Sequence, residues 1–465
     1  MAVVHSRGMT TTAARPSRRL RTREAWHLAA VAVIWLTSLF VVSLWISGGG
    51  IRDLLAMDAD SLTTLGRLTG LVAANLLLYQ VLLMARIPLF ERGFGRDGMT
   101  RMHRLVGFWS FWLMLAHIVL VVAGYSAASG LNLLVQTWDF VVDYPAMLLA
   151  TAGTVLLIMV VVTSIRRARA RLRYESWHLL HLYAYVGVGL ALPHELWTGA
   201  DFLSSPPATV YWWTLWALAA ASVLVFRIGV PALQTLRHGL RVVGVERDGD
   251  RGVAVRVSGP SGAPRARAGQ FFIWRFFDGP GWTRGHPFSL ASAPGRDLVL
   301  SARLAGDGST RLTALRPGTR VHIEGPYGTM TGDARQGTKL LMIGAGAGVA
   351  PLVAILEAEA FAPGDAVLVT RDHARATAMR ASQIATLVQR RGLRYAALDG
   401  PRGRSWLPRT HDAWTGPQLI TYLAPDLPQY DAYVCGPPAW MDAVTADLRA
   451  AGLPRTRIHT ESFEV

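Results

Sequence analysis

Four histidines lie inside stretches that are otherwise apolar: His103 and His117 in one, His181 and His194 in another. An ionisable side chain is costly in hydrocarbon, so a single such His is ordinarily packed inside a bundle and hydrogen-bonded to a neighbouring helix. Two pairs on two stretches that run in the same direction offer more, because equivalent depths are then available on both. Fourteen residues advance a helix by about 21 Å and bring it back to within about 40° of its starting face, so His103 and His117 reach two depths from one face. Thirteen residues turn a straight helix by about 220°, and Pro193 is the residue whose kink or local unwinding re-aims His194. His178 competes with His181 but meets the same facing problem, and His181 is favoured. Two imidazoles fill both axial positions of a haem iron, which then passes electrons and does little else. Cys435 is the only cysteine, which excludes an intramolecular disulfide, a Cys-based zinc site and a cluster held by four thiolates of this chain.

A second chemistry is written further along. An apolar run at 340–343 leads into Gly344-Ala345-Gly346-Ala347-Gly348-Val349-Ala350-Pro351. Strand, Gly-rich turn and helix start together make a seat for pyrophosphate at a helix N-terminus. Pro351 stands where a third glycine is usual and suits the first turn of a helix. At the end of the next expected strand, Thr370 and Arg371 put a planar cation where the 2′-phosphate of NADPH would lie, with Arg404 as a second cation. Asp372 is the one acidic residue there that competes for a free ribose hydroxyl, so NADPH is favoured and NADH remains possible.

These residues need elements to position them. Of 465 residues 51% are hydrophobic, too many for an ordinary soluble protein. The formal charge of +16 does not argue for nucleic acid, because Lys339 is the only lysine and the excess is arginine, a compositional bias. Six apolar stretches, at 25–47, 65–86, 103–125, 144–165, 177–197 and 208–230, are each long enough to span a hydrocarbon core of about 30 Å. Arg92, Arg96 and Arg101 precede the third, and Arg166, Arg167, Arg169, Arg171 and Arg173 separate the fourth and fifth. The alternate loops carry Asp53, Asp58, Asp60, Asp139, Asp143 and Asp201, with Arg52 as the exception. The positive-inside rule then puts both termini in the cytoplasm of a multi-pass cell-membrane protein. Residues 1–24 are expected to form a disordered cytoplasmic tail; a twin-arginine signal at Ser17-Arg18-Arg19-Leu20 is disfavoured by the length of the run behind it and the lack of a cleavage site. After Pro231 hydropathy falls. Alternating strands around Val253, Leu298 and Val321 suggest a small antiparallel β-barrel over 238–335, and buried strands alternating with helices over 336–465 suggest a parallel α/β sheet. The expected architecture is multi-domain: an α-helical six-helix transmembrane bundle over 25–230, then the barrel, then the α/β nucleotide domain.

With the run His103-Arg104-Leu105-Val106-Gly107 and the two histidine spacings, the chain resembles the ferric reductase and NADPH oxidase superfamily over nearly all of its length after residue 25. That resemblance implies a two-haem membrane domain fused to a ferredoxin-reductase-like FAD and NAD(P)H module. It implies that His103 and His181 hold an inner b-type haem, and His117 and His194 an outer one, with Arg67 beside the latter. His286-Pro287-Phe288-Ser289 resembles the family's flavin motif, with Phe288 near the isoalloxazine and Ser289 near flavin N5. Gly306-Asp307-Gly308-Ser309-Thr310 resembles the segment that wraps the FAD pyrophosphate, with Arg303 to neutralise it, and Gly325-Pro326-Tyr327-Gly328 resembles a structural turn closing the barrel. Val434-Cys435-Gly436-Pro437-Pro438 resembles the nicotinamide-side loop and sets Cys435 near the hydride path, against a plainer reading as a buried thiol. Glu461-Ser462-Phe463 resembles the carboxy-terminal ending in which the ring, here Phe463, covers the flavin. One departure is Val121, where NADPH oxidases often carry a second His one turn after the outer ligand.

The implied activity is NADPH-dependent electron transfer through FAD and two haems to an extracytoplasmic acceptor, a ferric chelate in preference to oxygen. The rivals are a superoxide-producing oxidase, a membrane donor to a periplasmic or extracellular reductase, and a haem-free transporter. The sequence identifies no protein partner.

Overall fold

The computed structural model describes residues 18–461 apart from 58, 170, 173 and 200. Apolar sequence is helical throughout its first half: α1 (Arg18–Ser47), the short α2 (Gly50–Leu55), α3 (Ala59–Met84), α4 (Pro88–Ser129), α5 (Leu133–Asp143), α6 (Met147–Ser164), the one-turn α7 (Arg166–Arg169), α8 (Tyr174–Trp197) and α9 (Pro206–Ser222). From α9 the chain continues through a π-helical turn (Val223–Gly229) into α10 (Val230–His238). Among the described residues five helices are long and apolar enough to cross a membrane: Ala25–Ser47, Asp60–Met84, Gly98–Ser129, Met147–Ser164 and Pro206–His238. The six-span expectation thus becomes five by this measure. The stretch expected at 177–197 is the 24-residue α8, whose apolar content is diluted by His178, His181, His194 and Glu195.

Backbones approach closely where side chains are small, the usual way helices associate in lipid. A Cβ on Gly153 of α6 would meet the Gly187 carbonyl of α8, and one on Gly124 of α4 would meet Thr63 of α3. The outer surface is apolar, with Trp35, Val155 and Leu179 each more than half exposed, as suits a bundle whose solvent is lipid. Helix α4 is broken near its start by Gly95 (φ 65°, ψ 167°), so the segment before it leaves the line of the membrane helix.

Beyond α10 the apolar pattern changes period. Strands β1 (Arg241–Arg247), β2 (Gly252–Ser258) and β5 (Leu298–Arg303) form one three-stranded antiparallel sheet, and β4 (His286–Ser289), β3 (Phe271–Phe276) and β6 (Val321–Tyr327) another. The expected barrel is therefore two small sheets, connected by isolated bridges at Arg241↔Arg320 and Leu290↔Leu300. Val255, Trp274, Leu300 and Ile323 fill the space between them with no exposure. The short α11 (Asp307–Arg311) follows β5.

The remainder is a five-stranded parallel sheet in the order β11-β10-β7-β8-β9. Its strands are β7 (Lys339–Ala345), β8 (Ala366–Asp372), β9 (Arg394–Asp399), β10 (Tyr430–Cys435) and β11 (Ile458–Glu461), interleaved with α12 (Val349–Ala358), α13 (Ala381–Arg391), α14 (Gly416–Leu423) and α15 (Pro438–Ala450). Strand order reverses between β7 and β10, and in open α/β sheets ligands bind at that crevice beyond the strands' carboxyl ends. Asp431 braces the opposite end: its buried carboxylate accepts from His459 Nε2 (2.9 Å), the Gln336 N–H (2.9 Å) and the Gly337 N–H.

Candidate metal centre and nucleotide cleft

Helices α4 and α8 bring the four histidines together in pairs. The His103 and His181 ring centroids are 6.0 Å apart, and those of His117 and His194 are 6.4 Å apart. Imidazoles bound on opposite sides of one metal ion, each with its nitrogen about 2 Å from the metal, put their ring centres about 6 Å apart. The pairs have that spacing at two depths. Both α8 rings face α4 despite the rotation between them, on a helix that carries Pro193 within it. His178 sits beside Trp177, 6.5 Å between centroids, and forms neither pair.

Three of the four rings are also fixed by a hydrogen bond. His117 Nδ1 lies 2.8 Å from the Gly66 carbonyl, His194 Nδ1 2.7 Å from Thr198 Oγ1 and His181 Nδ1 3.2 Å from Ser164 Oγ. Fixing one ring nitrogen presents the other, Nε2, to a metal. His103 Nδ1 is buried with no partner among the described residues. Gly70 lies so near the His117 ring that any Cβ there would overlap it. Among the described residues no three His, Cys, Asp or Glu cluster as a metal site. Two facing imidazoles at this spacing are the donor set that fits the two axial positions of a haem.

A cavity of about 2680 Å³ opens between the His103/His181 pair and the first β-sheets, lined by Arg104, Arg166, Arg169, Phe271 and Tyr327 among others. At the other end of the bundle Arg67 pairs two-pronged with Asp201, Nε to Oδ2 at 2.7 Å and Nη2 to Oδ1 at 2.5 Å.

In the barrel, Ser289 of β4 is opposite Phe271 of β3. Its hydroxyl is buried without a partner among the described residues, as suits a group whose partner is a ligand. Pro287 and Phe288 are half-buried beside it. The His286 ring packs against Gly308, where any Cβ would overlap it. Ser309 accepts from the Ala305 and Gly306 N–H groups, and Thr310 donates to the Gly306 carbonyl, so both hydroxyls shape the turn itself. Arg303 reaches Gly346: its Nη1 is 3.0 Å from where a Cβ of that glycine would lie.

The nucleotide segments meet at the switch point. Cys435 is level with Gly344 on β7, and Arg371 on β8 is level with Ala345. Gly346 is left-handed (φ 53°). A Cβ on Gly348 would run into the Cys435 carbonyl and the Gly436 nitrogen, so the Gly-rich turn and the Cys435-Gly436-Pro437 loop are in contact. Pro351 is buried in the first turn of α12, and Pro437 caps α15. The Cys435 thiol is fully buried, donates to the Glu461 carbonyl (3.5 Å), and is pushed well above its usual pKa by burial. What Cys435 offers the cleft is backbone. Thr370 is likewise buried, its hydroxyl 2.9 Å from the Tyr395 hydroxyl. Arg371 donates to the carbonyls of Asp372, Leu398 (3.5 Å) and Pro401 (3.2 Å), and Arg404 is exposed on the following loop. Asp372 is 3% exposed with one oxygen unpartnered among the described residues, and burial pushes its carboxyl up to about 6. Phe463 lies outside the described residues.

Sequence reasoning did not find Gly66, Ser164 and Thr198 as ring holders or Asp201 as the partner of Arg67. Thr198 alone had a readable signal, four residues beyond His194 on one helical face.

Residues 69–192 match the family described as ferric reductase like transmembrane component, a stretch that includes His103, His117 and His181 and stops two residues short of His194. The chain is 29% identical over 203 residues to the ferredoxin reductase component of 3-ketosteroid-9-alpha-monooxygenase from Rhodococcus rhodochrous, covering 42% of this chain and 56% of that protein. It is 36% identical over 78 residues to NADPH oxidase 1 of Mus musculus, covering 16% and 13%. A solved ferredoxin reductase of carbazole 1,9a-dioxygenase is 25% identical with a TM-score of 0.40, over 48% of this chain and 68% of that one. The chain spans little more than half the length of the first of these relatives. Over parts of its length the chain is thus similar to a ferric reductase like transmembrane component, to a ferredoxin reductase component and to an NADPH oxidase.

Proposed function

We propose that this protein carries electrons from NADPH across the cell membrane to an external acceptor, a ferric chelate, by way of FAD and two b-type haems. The observation that carries this reading is the pair of imidazole pairs, 6.0 and 6.4 Å between centroids, at two depths of one bundle. In it α8 is the sixth membrane helix, its histidines shielded inside the bundle. His103 and His181 hold the inner haem, His117 and His194 the outer one. The reading divides the chain into a haem domain at 25–230, an FAD domain at 238–335 and a nucleotide domain at 336–465. Bound FAD would supply the conversion between a two-electron hydride donor and one-electron acceptors.

The protein's own residues have the remaining work. The 344–348 turn and the 435–437 loop seat the nucleotide where β7 meets β10, and the unpartnered Ser289 hydroxyl hydrogen-bonds the flavin. Both termini are cytoplasmic: Arg166 and Arg169 line the cavity on the side of the reductase module, in keeping with the positive-inside rule. Filled axial sites leave an acceptor to react at the haem edge, and Val121 in place of a second His favours ferric reduction over oxygen.

The test is sealed vesicles given NADPH on the reductase side and an impermeant ferric chelate on the other, without oxygen. Chelate reduction supports the assignment. Inactivity without oxygen, with superoxide formed on its readmission, would replace it by an oxidase.

Nucleotide choice is tested at Arg371, whose position beside Ala345 motivates its role at the 2′-phosphate. Changing Arg371→Gln raises KM for NADPH about tenfold or more and that for NADH much less, since only the former loses a charged hydrogen bond. An equal rise for both in steady-state kinetics would reduce Arg371 to a brace for the 398–401 carbonyls.

A further inference from the structure

The junction between the membrane helices and the barrel is built around one carboxylate. Arg86, in the turn between α3 and α4, is left-handed (φ 65°), a conformation an L residue adopts rarely and only where its surroundings hold it. Its Nη1 pairs with Glu324 Oε2 and donates to the Tyr327 hydroxyl at 3.0 Å, with the guanidinium 5.2 Å from the Tyr327 ring centre. The other Glu324 oxygen takes Arg275 Nη1 of β3 at 2.6 Å. Glu324 is 7% exposed, so one buried carboxylate is shared between an arginine of the membrane part and an arginine of the barrel. Burial and the charges of Arg86 and Arg227 pull the Arg275 pKa down, as expected where cations crowd together around Glu324. Two neighbouring bonds run between α10 and β6: Gln234 Nε2 to the Gly325 carbonyl at 3.0 Å, and Thr235 Oγ1 with His322 Nδ1 at 2.6 Å.

The position of this cluster gives it a consequence beyond stability. Strand β3 pairs Ile273 with Glu324, and Phe271 with both Tyr327 and Ser289. The barrel residues that grip the membrane part thus lie on β3 and β6, and β3 also pairs with β4, the strand that carries the candidate flavin residue Ser289. Arg86 and Tyr327 also line the cavity into which His103 and His181 face.

We propose that Arg86, Glu324, Arg275 and Tyr327 form a latch that sets the separation between the flavin site and the inner histidine pair. They are positioning residues, acting on the step from flavin to haem and not on hydride transfer. The inference rests on the electron route proposed above. Breaking one side of a buried, hydrogen-bonded charge pair leaves the other charge unpaired, so the barrel shifts against the bundle while each part keeps its own core.

The experiment is anaerobic rapid mixing of the full-length protein with NADPH, following flavin and haem absorbance separately. In Arg86→Leu and Glu324→Gln, flavin reduction stays at the wild-type rate while haem reduction slows about tenfold to a hundredfold, the scale of a displacement of about 1 Å at a reacting centre. Arg86→Lys, which keeps a cation opposite Glu324, retains most of the wild-type rate of haem reduction. Tyr327→Phe, which removes one hydroxyl and disturbs folding least, slows haem reduction severalfold at full haem content. Haem reduction at the wild-type rate in all single variants, or flavin and haem reduction falling together, would overturn the latch. A wild-type protein whose haem is not reduced by NADPH would overturn the electron route and the latch with it, whereas a defect confined to the variants separates the two.

Discussion

Replacing His117 with Leu removes the outer haem and collapses reduction of an impermeant ferric chelate on the far side of sealed vesicles by about a hundredfold or more. Loss of groups that merely orient a metal ligand costs up to about a hundredfold in affinity, and His117 is the proposed ligand itself. Its ring lies 6.4 Å from that of His194 and is steadied by the Gly66 carbonyl at 2.8 Å. FAD and the inner haem are spared, so NADPH still reduces the flavin and a soluble dye on the cytoplasmic side. The companion change, His103→Leu, blocks the route one step earlier, and NADPH then fails to reduce the outer haem that survives. Full transmembrane reduction by the His117 variant would refute a relay through two depths.

The second large effect is expected at Gly348. Any Cβ there overlaps the Cys435 carbonyl and the Gly436 nitrogen, so Gly348→Ala pushes the Gly-rich turn away from the loop that completes the cleft. Overpacking of this kind costs about 1–3 kcal/mol, which corresponds to about fivefold to about 150-fold in nucleotide affinity. Haem content is unaffected, because the membrane part is remote from the change. Gly295→Ala, where a Cβ meets nothing within 4 Å, is the control and leaves affinity unaltered. Wild-type NADPH binding in Gly348→Ala, measured by titration, would show that the turn yields without loss and is not the nucleotide seat.

The fold was legible where one physical signal dominates. Long apolar runs announced the membrane helices, alternation announced β2, β5 and β6, and an apolar run followed by glycines announced β7 and its turn. Strand β3 was missed because Phe271-Phe272-Ile273-Trp274 is apolar without alternation. Helix α5 reads in the sequence as part of an acidic external loop, although Asn132 caps it by accepting from the Leu134 and Val135 N–H groups; its 11 residues are too few to register as a span. The His103 and His117 spacing could be read from helical geometry alone. The aim of His181 and His194 could not, since it depends on how α8 sits against α4 around Pro193. Location and availability also differ. Thr370 and Arg371 stand at the predicted strand end, yet the threonine hydroxyl is engaged by Tyr395 and the guanidinium by three carbonyls, partners contributed by residues 25 or more positions away, apart from the Asp372 carbonyl. Nothing local in the sequence points to them, nor to Glu324 as the meeting point of Arg86 and Arg275.

The central claim is that electrons pass from NADPH through a flavin to haem held by the paired histidines. Its most direct test is the reduced-minus-oxidised absorption spectrum of the purified full-length protein after anaerobic addition of NADPH. The account predicts a low-spin b-type haem signal with two haems per FAD, halved in the His117→Leu variant. A protein that binds FAD and NADPH but develops no haem signal would contradict it.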